Sequence, residues 1–130
     1  MSKDLLLDFF EKAKKKKIID KDLISYLEDI FPEKSKTVIE VLKRGITKYI
    51  YNTSNRIVWT AIGKNQEHLI YPKIYCSCQD FYKNVVVNKK RNFCKHILAQ
   101  IISEAFNKYK IVRLGDEKFS MLIRDFKLQI

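Results

Sequence analysis

The sequence predicts an α+β protein in which helices precede a small antiparallel sheet and further helices close the chain. Three observations carry this reading. Apolar residues recur at helical spacing over the first 45 positions. From position 46 the composition turns β-branched and aromatic, in short runs broken by polar clusters. After the sheet, two more stretches return to helical spacing.

The elements follow in order. Leu6, Phe9, Phe10 and Ala13 line one side of a helix over residues 3–17, and Lys14 to Lys17 form its solvated end, where cations suit the helix dipole. Asp20 caps a second helix through Leu23, Ile24 and Leu27 that stops before Pro32. A third runs from Pro32 through Val38, Ile39 and Leu42 to Gly45, with proline at its start and glycine past its end. Residues 46–51, 56–63 and 68–75 then read as a three-stranded antiparallel meander. Pro72 makes the third strand an edge, or bulges it.

Alternation divides this sheet into two faces. Ile46, Ile50, Val58, Ile62, Ile70 and Ile74 are assigned to an aliphatic core face; Tyr49, Tyr51, Trp59, Leu69, Tyr71 and Tyr75 are assigned to an aromatic one. The aromatic face is either a base-stacking platform or a second buried layer, and the helices' need for a packing surface favours burial. Residues 97–109 form a helix with Ile97, Leu98, Ile101, Ile102, Ala105 and Tyr109 on one stripe. Asp116 caps a last one carrying Phe119, Leu122, Ile123 and Phe126 at i, i+3, i+4, i+7. The chain thus divides into an N-terminal helical region (1–45), a central unit (46–112) and a C-terminal amphipathic helix (113–130). The last is either a docking element for a partner or second copy, or a helix folded back on its own chain.

At 130 residues with 46% hydrophobic side chains and few Gly or Pro, the chain can build a core, which excludes a disordered or collagen-like polymer. Its longest apolar runs, such as Leu5 to Leu7 and Val85 to Val87, are too short to span a bilayer. No secretion signal is visible, so a cytoplasmic location is expected.

The three cysteines are never isolated: Cys76-Ser77-Cys78 is followed, after a spacer, by Cys94-Lys95-His96. An odd number of cysteines without a secretion signal argues against a disulfide framework. Three thiolates and an imidazole are a complete tetrahedral set for one structural zinc ion per chain. Cys76 and Cys78 can point to one side as the third strand turns. Two helical residues advance by about 200°, so Cys94 must sit just before the helix and His96 in its first turn. Four protein ligands leave no open position for substrate. No nucleophile–base pair or phosphate loop stands out, so no enzymatic activity is expected. His68 reads as a surface or hydrogen-bonded histidine, and Phe81 as a hydrophobic plug over the site.

Strands leading into Cys-x-Cys, a spacer, then Cys-x-His opening a helix resemble the SWIM zinc-binding domain over residues 46–109. The match extends to Cys76-Ser77-Cys78-Gln79-Asp80-Phe81 and to Cys94-Lys95-His96-Ile97-Leu98-Ala99. The second block fits the pattern Cys-x-His-x-x-Ala, which is typical of SWIM subunits of Shu-type recombination complexes and their archaeal relatives. The resemblance implies a zinc-binding protein that pairs with a paralogue of the RecA-like recombinase and assists recombinational repair.

Charge adds a second partner class. Residues 46–112 carry eleven basic side chains against three acidic ones, most of the chain's net +11. Lys83, Lys89, Lys90 and Arg91 lie in the spacer and Lys95 beside the ligands, a set suited to DNA phosphates. Two other readings fit the same residues: a stand-alone nucleic-acid-binding regulator, and a structural zinc adaptor between proteins.

Overall fold

The computed structural model describes residues 2–119, with side chains from residue 5 onward. Three helices open the chain: α1 (Ser2–Lys16), α2 (Lys21–Ile30) and α3 (Ser35–Arg44). Leu6, Phe9 and Ala13 form the buried side of α1, and Leu23 and Leu27 that of α2. Asp20 caps α2 by accepting the Leu23 N–H at 2.9 Å, a bond that holds its carboxyl below the usual range. α3 starts at Ser35 rather than at Pro32. The intervening residues turn instead, with Glu33 at φ 67°, because the Glu28 carboxylate accepts the Glu33 N–H at 2.7 Å and the Ser35 hydroxyl at 2.5 Å.

The sheet has five strands, not the three of the expected meander. β1 (Ile46–Tyr51), β2 (Arg56–Ile62) and β3 (Glu67–Tyr71) do pair antiparallel in sequence order. The expected third strand breaks at Pro72 and Lys73, where Lys73 takes φ 70°, and returns as the short β4 (Tyr75–Cys76). The fifth strand, β5 (Lys110–Leu114), lies parallel to β1, giving the order β4-β3-β2-β1-β5. It follows α5 (Lys95–Phe106), which ends sooner than its apolar stripe suggests. Asn107 adopts a left-handed conformation at φ 58°, and the Lys108 N–H bonds the Ser103 carbonyl at 2.9 Å. That cap releases the chain toward the sheet before Tyr109.

Register also corrects the two faces. Lys48, Trp59, Ile70 and Cys76 stand opposite one another across four strands, as do Tyr49 and Val58 on the other side. Trp59 therefore belongs with Ile46, Ala61 and Ile70 on the face covered by helices, and Val58 with Tyr51 and Leu69 on the reverse. Ile62 and Ile74, assigned to the core, are instead exposed. On the reverse face Tyr51, Val58 and Leu69 are all buried, which argues against a platform open to bases. Tyr49 and Thr60 there share Glu67 as acceptor, at 2.9 and 2.6 Å.

α5 is the central helix. It buries Ile97, Leu98, Ile101 and Ile102 while packing against α1, α3 and the sheet. Burial on several sides explains why its sequence is apolar almost all round. None of the described helices is long and apolar enough to cross a membrane.

Gly45 joins α3 to β1 at φ 117°, ψ 152°, a region that side-chain-bearing residues avoid. Its carbonyl accepts the Ile62 N–H at 3.1 Å, so the strained link also fixes the start of the β1–β2 ladder. Gly45→Ala is expected to lower unfolding free energy by about 1–3 kcal/mol. Urea denaturation of the metal-loaded chain checks this, and unchanged stability would show that the link relaxes freely.

Candidate metal centre

Each of the four predicted ligands arrives from a different local structure. Cys76 closes β4, held in place by its pairing with Ile70. Cys78 precedes the short helix α4 (Gln79–Phe81), and its Sγ accepts the Phe81 N–H at 3.3 Å. Cys94 is the N-cap of α5, in extended conformation, and His96 lies in the first turn. Burying the apolar side of α5 therefore brings His96 and Cys94 to the end of the sheet where β4 presents Cys76 and the turn after it presents Cys78.

The four donor atoms lie within 4.8 Å of one another, and all four residues are buried. The Nδ1 of His96 faces the sulfurs, 3.6 Å from Cys76 Sγ and 3.9 Å from Cys94 Sγ. A tetrahedral zinc ion with bonds of about 2.0–2.1 Å to nitrogen and 2.3 Å to sulfur needs N···S edges of about 3.6 Å. The donor set and its spacing thus form one buried Cys3His site suited to a single zinc ion, with Nδ1 as the imidazole donor.

Electrostatics support the same assignment. Hydrogen bonds from Cys76 and Cys94 pull the Cys78 thiol down, while donation to its neighbours pushes Cys76 up and burial pushes Cys94 up. Buried together, the three sulfurs compete for protons. A divalent cation at the centre would supply the charge that keeps all three deprotonated.

His68 enters this neighbourhood unannounced by the sequence. Its ring lies 4.6 Å from that of His96, tilted by 38°, and its buried Nδ1 has no partner among the described residues. Burial, and then His96, hold its imidazole below the ordinary range. Residue spacing alone gives no hint of this; the signal is the register, since His68 pairs with Ala61 and shares a face with Ile70 and Cys76. Phe81 is buried edge-on against Tyr75, at 5.5 Å.

The first part of the spacer is helical, and the part that carries Lys89, Lys90 and Arg91 is irregular. After α4, residues Tyr82–Val87 form a π-helical turn, and Lys89 then takes φ 52°. Lys83, Lys89 and Lys90 are exposed, and Lys95 is half-buried. Arg91 differs from these lysines. Its guanidinium binds both Asp80 oxygens, at 2.7 and 2.8 Å, and sits 5.2 Å from the Phe31 ring centre. With 17% of its side chain exposed, Arg91 ties the spacer to α4 and to the helical layer. Of the expected docking stripe, Phe119 contacts its own sheet, edge-on to Tyr51 at 5.1 Å and 4.6 Å from the Arg56 guanidinium. Leu122, Ile123 and Phe126 lie outside the described residues.

Structural zinc sites contribute about 10–16 kcal/mol of apparent binding energy in small peptides, more than a typical domain's whole stability of about 5–15 kcal/mol. Chelation, or Cys94→Ala, is expected to unravel at least residues 78–96, seen as reduced amide-exchange protection there. Acidification acts in the same direction, because protons compete with the metal for the three thiolates, so zinc affinity falls as pH falls. Retained protection after complete metal removal would show that packing alone holds the segment.

No family model matches the chain. No solved structure matches it either. The chain is similar to the Zinc finger SWIM domain-containing protein 7 homolog of Dictyostelium discoideum, at 29% identity over 123 residues. The match spans 92% of this chain and 78% of that protein. The resemblance to SWIM proteins read from the two cysteine blocks is therefore borne out, and the similarity extends over nearly the whole chain.

Proposed function

We propose that this chain is a non-catalytic, zinc-stabilised SWIM protein that assists homologous recombination by binding a RecA-like recombinase paralogue and DNA. The observation that carries this reading is a closed Cys3His site in a chain similar along nearly its full length to a SWIM protein. Four buried protein donors leave a zinc ion no position for water or substrate, so the metal serves architecture. What it would hold in place is the spacer, with Lys83 on its short π-helical segment and Lys89 and Lys90 on the irregular chain that follows, all three exposed. Such a surface suits phosphate contacts without base readout, since no helix there offers a row of Arg, Asn or Gln to a groove.

The partner is tested by co-purification of the zinc-loaded chain with a recombinase paralogue from the same cell. A stable complex supports the proposal; its absence under low salt would leave a stand-alone DNA-binding or adaptor protein instead. The DNA surface is tested through salt. Replacing Lys83, Lys89 and Lys90 by Ala is expected to reduce the salt slope of duplex binding by about 0.9 for each phosphate that these lysines neutralise. Arg91→Ala is expected to behave differently. It removes a charged hydrogen-bonded pair and is expected to lower stability by about 1–3 kcal/mol, leaving the slope of the folded protein nearly unchanged. An unchanged slope in the triple lysine variant would move DNA binding off the spacer.

A further inference from the structure

At the far end of α5 from the metal centre, about ten residues or 15 Å along the helix, lies an open groove. It has a volume of about 460 Å³, within the usual range of roughly 300–1,000 Å³ for ligand sites. Its walls come from the α1–α2 connection, the ends of α3 and α5, and the starts of β1 and β5. Three isoleucines stand exposed in it: Ile18 by 60%, and Ile19 and Ile62 each by 37%. Arg44, Lys108 and Lys110 line it as well, and among the described residues no acidic side chain does.

Special backbone positions build this surface. Lys17, at φ 60°, follows α1 and leads into the exposed Ile18 and Ile19, while Asn107 in its left-handed cap leads into Lys108 and Lys110, which line the same groove. Gly45, also in the wall, leaves an added Cβ only 3.5 Å from Ile62. Adjacent exposed isoleucines ringed by cations are not needed to hold the zinc ligands or to present the spacer lysines.

We propose that this groove docks an acidic segment of a protein partner, with large apolar side chains on the isoleucines and carboxylates on the cationic rim. Charge selects this occupant. A second copy of a chain with net charge +11 would set cations against cations. Nucleic-acid bases would need exposed aromatic faces. The groove's exposed apolar side chains are aliphatic; of its two aromatic residues, the half-buried Phe106 packs against the core, and Tyr109 is engaged edge-on by Trp59 at 4.9 Å and approached by Lys48 at 5.6 Å. The proposal requires neither a recombinase paralogue as partner nor DNA on the spacer.

The zinc-loaded full chain is used as bait against a displayed library of random dodecapeptides. Enriched peptides are expected to combine several acids with large apolar residues. A fluorescein-labelled enriched peptide is expected to bind about ten-fold or more weakly on Lys108→Glu with Lys110→Glu, and similarly on Ile18→Asp. Zinc content, melting temperature and the salt slope of DNA binding serve as controls and are expected to hold in these variants. The proposal is overturned if nothing is enriched, if enriched peptides lack acids, or if they bind the folded variants as tightly as the parent. It is overturned equally if the charge reversals abolish DNA binding or self-association instead.

Discussion

Everything at the functional end of this molecule depends on bringing two short ligand pairs, far apart in sequence, within a single tetrahedron. Cys76 and Cys78 come from a two-residue strand and the turn beyond it; Cys94 and His96 come from the start of the central helix. The first pair has little local structure of its own, and the second stands at the very start of its helix. Their positions follow from two larger constraints, the pairing of β4 with β3 and the burial of α5 against α1, α3 and the sheet. Conversely, a metal ion tying the pairs together would close the spacer between them, a segment with one short helix, one π-helical turn and no buried residue between Tyr82 and Val87. The core aligns the donors, and a bound ion would organise what the core does not reach.

The spacer's cations differ in what the fold does with them. Arg91, paired to both oxygens of Asp80 and lying on Phe31, is committed to the fold. A guanidinium suits that role because its flat fork can bind a carboxylate while stacking on a ring. The lysines around it are exposed, compact charges on flexible stems, better suited to a phosphate backbone than to a fixed internal contact. Neighbouring cations in one basic run are thus divided by the fold, Arg91 paired inward and the lysines left in solvent.

Much of this was legible in the sequence, for identifiable reasons. Ligand chemistry is carried by residue type and short spacing, so Cys76, Cys78, Cys94 and His96 group together before any fold is known. The early helices likewise declare themselves through periodicity and the Asp20 cap. What escapes is set by pairing over long separations. β5 joins β1 across most of the sheet-forming chain, and nothing local in Lys110–Leu114 names that partner. Counting alternate positions separates the faces within each strand but cannot carry the assignment across a turn, which is how Trp59 and Val58 exchanged places. His68 meets His96 only through the same register. Arg91 looks like its lysine neighbours because charge in a sequence does not disclose which groups are already paired.

X-ray absorption at the zinc edge of the purified full chain reads the coordination sphere itself. The expected result is about one zinc per chain, with three sulfur neighbours near 2.3 Å, one nitrogen near 2.0–2.1 Å, and no further atom bonded to the metal. A coordination sphere dominated by oxygen or nitrogen, a fifth light-atom ligand, or metal well below one equivalent in protein prepared without chelators would contradict it.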